Sequence, residues 1–97
     1  MSLYVTLYKF TDQGIRNVKD SPKRLDTAIK AAEKVGIKIL GAYYTLGEYD
    51  LMIVSEATNE QAAVAYTLGI NSLGNVKSTT MRAFAPAEFS EIIKKMA

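Results

Sequence analysis

At 97 residues the chain is long enough for one layered core and too short for two, and a content of 48% hydrophobic and 23% charged residues places it outside the disordered and fibrous classes. A net charge of only +2, with no run of five like charges, gives no electrostatic footprint for nucleic acid. With no cysteine and no histidine, thiolate nucleophiles, imidazole bases, His–Cys zinc sites and histidine-ligated haem are all excluded, so neither a metal nor a cofactor is expected.

Met1 runs directly into Leu3-Tyr4-Val5-Thr6-Leu7-Tyr8, a period of two that predicts a first strand over residues 3–10. No targeting segment and no apolar stretch of about 20 residues is visible, so no membrane contact is expected and a reduced cytoplasm is the default address. A polar stretch follows from Thr11 to Lys19. Ser21 is placed to cap a helix with Pro22 in its first turn and Leu25, Ala28, Ile29 and Ala32 at helical spacing, ending at Gly36. Residues 37–46 and 49–54 read as two strands of a hairpin about Gly47-Glu48, with Gly47 supplying the positive φ of a type II′ turn. Thr58 and Gln61 stand at capping-box spacing ahead of a second helix carrying Ala62, Ala65, Tyr66, Gly69 and Ile70. Gly74-Asn75 stops it, residues 76–84 form a fourth strand, and Pro86 opens a terminal helix with Phe89, Ile92, Ile93 and Met96 on one face.

The order strand, helix, strand, strand, helix, strand, helix predicts an α+β fold over residues 1–97. It is the ferredoxin-like βαββαβ arrangement with a C-terminal helix, of the kind that pairs into dimeric α+β barrels. Strands one and three belong at the centre of the sheet. Strand three is accordingly apolar at Leu51, Met52, Ile53 and Val54, while strand four carries the edge-like Lys77, Ser78, Thr79, Thr80 and Arg82. Helices cover one side only, so the second side, to which the alternation is read as assigning Tyr4, Thr6 and Tyr8, needs another cover. Four strands about 4.8 Å apart and about 25 Å long make a face of roughly 500 Å², and two such faces bury about 1,000 Å², enough for a specific interface. A homodimer or higher oligomer joined through the sheets is the expectation. The alternative is a terminal helix folded back over that side, and between the two lies a helix packed along an edge or onto the partner subunit.

The segment Gly47-Glu48-Tyr49-Asp50 followed by Leu51-Met52-Ile53-Val54 resembles the G-x-Y-D signature of the GYD domain family. The likeness extends through Tyr4-Val5-Thr6-Leu7, Asp20-Ser21-Pro22-Lys23-Arg24, Ser72-Leu73-Gly74-Asn75-Val76 and Thr80-Met81-Arg82-Ala83-Phe84, most of the chain. The resemblance implies a ferredoxin-like, oligomer-forming domain and carries no established activity. A looser likeness is to the ligand-sensing domains of Lrp/AsnC-type regulators, where a similar glycine-tyrosine-aspartate hairpin precedes the third strand and effectors bind between subunits. The helix-turn-helix of those regulators is missing, so DNA binding does not transfer.

Asp50 is a charge at the start of an apolar central strand and needs a partner, with Arg82 as the candidate cation and the hairpin's own backbone N–H groups as the alternative. Tyr4, Tyr8, Tyr44 and Tyr49 are candidates to line an apolar cleft between sheets and subunits, or simply to fill the interface. Together these residues make the expected ligand-binding set of a small-molecule-binding or regulatory domain. The competing class is a small cofactor-independent enzyme of the monooxygenase-like type, in which Asp50, Glu48, a lysine or a tyrosine would have to move the proton, and no catalytic residue is singled out. An RNA reader is set aside, since Tyr49-Asp50-Leu51-Met52 stands where its strand would carry a basic-glycine-aromatic run. Lys19, Lys23, Arg24 and Lys30 read as a solvated helical face.

Overall fold

The computed structural model describes residues 1–97. Its elements are β1 (Ser2–Phe10), α1 (Asp12–Arg16), a 3-10 turn (Val18–Asp20), α2 (Ser21–Lys34), β2 (Ile37–Tyr44), β3 (Leu51–Ala57), α3 (Glu60–Ser72), β4 (Val76–Ala83) and α4 (Pro86–Ile93). The strands form one antiparallel sheet in the order β2-β3-β1-β4, which puts β1 and β3 at the centre and the polar β4 at an edge, as the composition of the strands requires. This is the ferredoxin-like arrangement. No helix is long and apolar enough to cross a membrane.

The register decides which side chains share a side. Thr6 lies opposite Ile53 and Thr80, and Tyr8 opposite Leu51 and Ser78, while Val5 lies between Val54 and Met81. The row that includes Tyr4, Thr6, Tyr8, Leu51, Ile53, Ser55 and Ala57 faces the helices. Tyr8, Leu51 and Ile53 pack with Leu25 and Ile70, and Ala57, Ile37 and Ala32 pack with Tyr4, Ala63 and Tyr66. The opposite row holds Leu3, Val5, Leu7, Met52, Val54, Tyr43 and Met81. The tyrosines of β1 therefore lie under the helices, and the aliphatic residues occupy the second side. That reverses the expected parity, because a small-polar row (Thr6, Ser55, Ser78) leaves room beneath the helices for bulky phenols, whereas alternation alone does not say which row faces inward.

The expected excess of apolar surface on the second side is nonetheless present, built from aliphatic chains. Nothing within the chain roofs it. Tyr43 is 57% exposed and Met81 44%, and α4 carries Phe89 and Ile93 into solvent at 53% and 48% exposure, with Met96 beyond it at 72%, instead of folding across the sheet.

Local signals explain the remaining elements. The polar stretch from Thr11 to Lys19 contains α1, capped by Thr11, whose Oγ1 accepts the Gly14 N–H at 3.1 Å and donates to the Gly74 carbonyl at 2.5 Å. Five residues are too few to show a helical period. Ser21 does not cap α2 but begins it, buried, with its hydroxyl 2.9 Å from that of Tyr44. α3 is capped by Asn59, whose Oδ1 accepts the Ala62 N–H at 3.1 Å, so the Thr58–Gln61 box is not used. Gly47 has a positive φ of 118°, but the hairpin loop runs from Thr45 to Asp50 and is not a two-residue turn. The Thr45 N–H donates to the Asp50 carbonyl at 2.9 Å and the Thr45 hydroxyl to the Tyr49 carbonyl at 2.6 Å, and these bonds close the longer loop.

Gly14 is buried where α1 meets the turn between α3 and β4, and a methyl group there would collide with the Asn75 carbonyl oxygen. Gly69, in α3, faces open space. Gly14→Ala is therefore expected to destabilise the chain by about 1–3 kcal/mol, whereas Gly69→Ala is expected to stabilise it by about 1 kcal/mol, both read from urea unfolding curves.

Candidate functional site

Two features of the molecule have the character of a site: the open side of the sheet, and a cavity of about 100 Å³ between α2, α3 and the helix-facing side. Twelve of the fifteen residues lining the cavity are hydrophobic, with Ser21, Arg24 and Asn75 as the exceptions. The void exists because α2 and α3 approach the sheet over small residues at one end, through Ala32, Ala57 and Ala63, while the other end is held open by Tyr8, Leu25, Leu51 and Ile70.

The six residues expected to act together are dispersed. Tyr4 packs against the Ala32–Ile37–Ala57 cluster. Tyr8 is 7% exposed and lines the cavity. Tyr44 is half-exposed at the end of β2, its hydroxyl paired with Ser21 of α2. Tyr49 sits in the hairpin loop, where its carbonyl holds Thr45. Tyr4 and Tyr8 share a narrow crevice and face away from the open side of the sheet, so these tyrosines do not converge there.

Arg82 is not the partner of Asp50. It lies opposite Tyr4, at the far end of β1 from Asp50, where it pairs with Glu88 at 2.9 Å, donates to the carbonyls of Leu3 and Ala83, and rests 4.4 Å from the ring centroid of Phe84. Asp50 instead accepts the Phe10 N–H on Oδ2 at 2.8 Å and donates its own N–H to the Tyr8 carbonyl at 2.9 Å. The carboxylate thus extends the β1–β3 ladder by one bond and fixes the hairpin to the end of β1, using a backbone N–H of the neighbouring strand and not one of the hairpin's own.

Of the residues lining the cavity, only Tyr8 belongs to the expected site set, and Tyr66, Leu25 and Arg24 are among those outside it. Tyr66 of α3 donates its hydroxyl to the Ala28 carbonyl of α2 at 2.5 Å and ties the two helices together above the sheet. Leu25 and Arg24 lie on the first turns of α2, and Arg24 donates to the Asn17 carbonyl at 2.9 Å. An aromatic residue inside an otherwise small-residue helix was the available signal for Tyr66. Nothing in the spacing marked Arg24, which is read from sequence as one of several basic residues on a solvated face.

Burial, reinforced by the neighbouring Tyr66, pushes the Tyr8 phenol up to about 12, and burial also raises Tyr66. A phenol held protonated in the fold but ionising near 10 when unfolded favours the folded chain below pH 10, and that advantage is lost as pH rises from 10 toward 12. The loss amounts to about 3 kcal/mol and should be smaller in Tyr8→Phe, as urea unfolding at pH 9 and pH 12 would show. Asp50→Ala is expected to cost about 2 kcal/mol of stability at neutral pH, because the Phe10 N–H loses a charged acceptor. Asp50→Asn, which keeps an oxygen in place, should cost less in the same assay.

Comparison with known proteins agrees with this architecture. The model of the GYD domain matches residues 4–93. The chain is 27% identical over 95 residues to the glutamine synthetase and cystathionine beta-lyase binding protein of Thermus thermophilus, covering 97% of this chain and all of the relative. The crystal structure of FFRP-DM1 superimposes with a TM-score of 0.61 at 20% identity, over 87% of this chain and all of that one, which establishes a shared fold. With a family match spanning nearly its whole length and the glycine-tyrosine-aspartate hairpin docked on β1, the chain belongs to the GYD domain family.

Proposed function

We propose that this protein is a self-associating binding and regulatory domain, working as a dimer or higher oligomer stacked through the open sides of its sheets and responding to a small molecule. The observation that carries the assembly is the unroofed row Leu3, Val5, Leu7, Met52, Val54, Tyr43 and Met81. Size supports it. The accessible surface is 6757 Å², whereas a compact monomer of this mass exposes about 5,500 Å². The radius of gyration is 14.7 Å, against about 12.5 Å for a compact chain of this length. The molecule is 19 Å through its thinnest dimension, the shape of a two-layer slab awaiting a third layer. A second copy supplies that layer as its own sheet, and the exposed apolar side of α4 is then free to pack on the partner.

A binding role is supported by family membership and by the Thermus relative, which is named for binding two enzymes. That name favours a second reading, in which the same sheet surface docks a different protein. Light scattering coupled to size-exclusion chromatography separates the two. Self-association requires a mass of at least twice 10.7 kDa at micromolar concentration, and a stable species of 10.7 kDa would favour docking of another protein. Val54 lies opposite Val5 at the middle of the row, so Val54→Lys is expected to release a folded monomer with unchanged far-ultraviolet circular dichroism.

A further inference from the structure

Tyr8 is the buried phenol of the cavity lining whose hydroxyl the fold leaves unpaired. Its residue is 7% exposed, yet its hydroxyl makes no hydrogen bond within the chain, whereas Tyr44 and Tyr66 each place theirs on Ser21 and the Ala28 carbonyl. Buried hydroxyls are nearly always paired, so an unpaired phenol bordering a void marks the position of a missing partner. Nor is the hydroxyl sealed into protein, since Asn71 Oδ1 is the sole fully enclosed side-chain polar atom without a partner.

We propose that the cavity beneath α2 and α3 binds a ring-sized, uncharged, mainly apolar molecule carrying one hydrogen-bond acceptor, which takes the O–H of Tyr8. This rests on the small-molecule part of the reading above and is independent of self-association, because the cavity lies on the helix-covered side of the sheet. Size, lining and donor each constrain the ligand. A void of about 100 Å³ is of the order of the roughly 150 Å³ cavity that accepts a benzene ring. Twelve apolar lining residues make an ionised ligand costly, since its charge would lose water without a full set of partners. The phenol stays protonated throughout the physiological range, so it offers a donor at every relevant pH. Ser21, Arg24 and Asn75 line the same void as its polar members, and their side chains are already engaged with the Tyr44 hydroxyl, the Asn17 carbonyl and Gln13.

The test compares three probes of one ring size: cyclohexanone, which has an acceptor; toluene, which has none; and benzoate, which is charged. Saturation-transfer and amide chemical-shift titrations are run on the full chain and on Tyr8→Phe. Cyclohexanone is expected to bind the wild type at millimolar concentration, with shifts centred on Leu25, Ile29, Ile53 and Ile70, and to bind Tyr8→Phe about fivefold more weakly, the loss of one hydrogen bond. Toluene should bind both proteins alike, which also reports that the variant keeps its cavity, and benzoate should bind neither. Should Tyr8→Phe fail to fold, Ile29→Trp, which fills the void, replaces it and must abolish cyclohexanone binding. No cyclohexanone binding to the wild type, equal binding to Tyr8→Phe, survival of binding in Ile29→Trp, or tightest binding of benzoate each overturns the assignment. The chromatographic mass bears on assembly alone, so the failure of either reading is recognised separately.

Discussion

A central strand that is apolar on both sides is stabilised by exclusion of water from both, and this constraint organises the whole molecule. β1 and β3 carry large apolar or aromatic residues on both sides, with Thr6 and Ser55 as small polar members of the helix-facing row. The chain spends α2 and α3 on the row containing Tyr8, Leu51 and Ile53, and it has no comparable element left for Val5, Leu7, Met52 and Val54. The modest core follows directly. No large side chain is completely buried, and the two clusters beneath the helices are small. A slab of this kind gains stability from whatever covers its second side, so in the proposed assembly folding and association would share one source of free energy.

The Gly47–Asp50 segment that carries the family resemblance is architectural in this setting. Asp50 joins three backbone groups, the Phe10 and Thr45 N–H groups and the Tyr8 carbonyl, at the point where the two central strands meet the hairpin. It fixes the end of β1, and so the placement of the Tyr8 ring beside the cavity. A motif that looks chemical because it contains a carboxylate and a phenol works here through position: its carboxylate is the last rung of a β-ladder.

Much of the fold was legible because the signals were long or punctuated. Alternation along residues 3–10 marked β1, Pro22 and Gly36 bracketed α2, and the contrast between Leu51–Val54 and Lys77–Arg82 ordered centre and edge. What escaped was whatever depends on choosing between near-equal local options or on packing volume. Asn59 and Thr58 are both good caps, and the structure uses the nearer one. Alternation groups Tyr4, Thr6 and Tyr8 correctly but is blind to which side the helices take, and so the expectation for the tyrosines fell on the wrong side. The Asp50–Arg82 pairing failed because chemical complementarity in a sequence carries no distance. The cavity had no linear signature at all, being the space that alanines at one end of the helix pair and bulky side chains at the other fail to fill.

The two borders of the sheet bear on what kind of assembly such a surface can make. β4 presents Lys77 and Arg82 along its length, and β2 is broken in register between Ile39 and Gly41, with Lys38 just before the break. Both are devices that spoil strand addition, which would otherwise extend the sheet copy by copy without limit. Growth sideways into ribbons is thereby discouraged on both flanks, and the proposed stacking is the mode those borders leave unobstructed, one that a twofold axis would bring to a finite end.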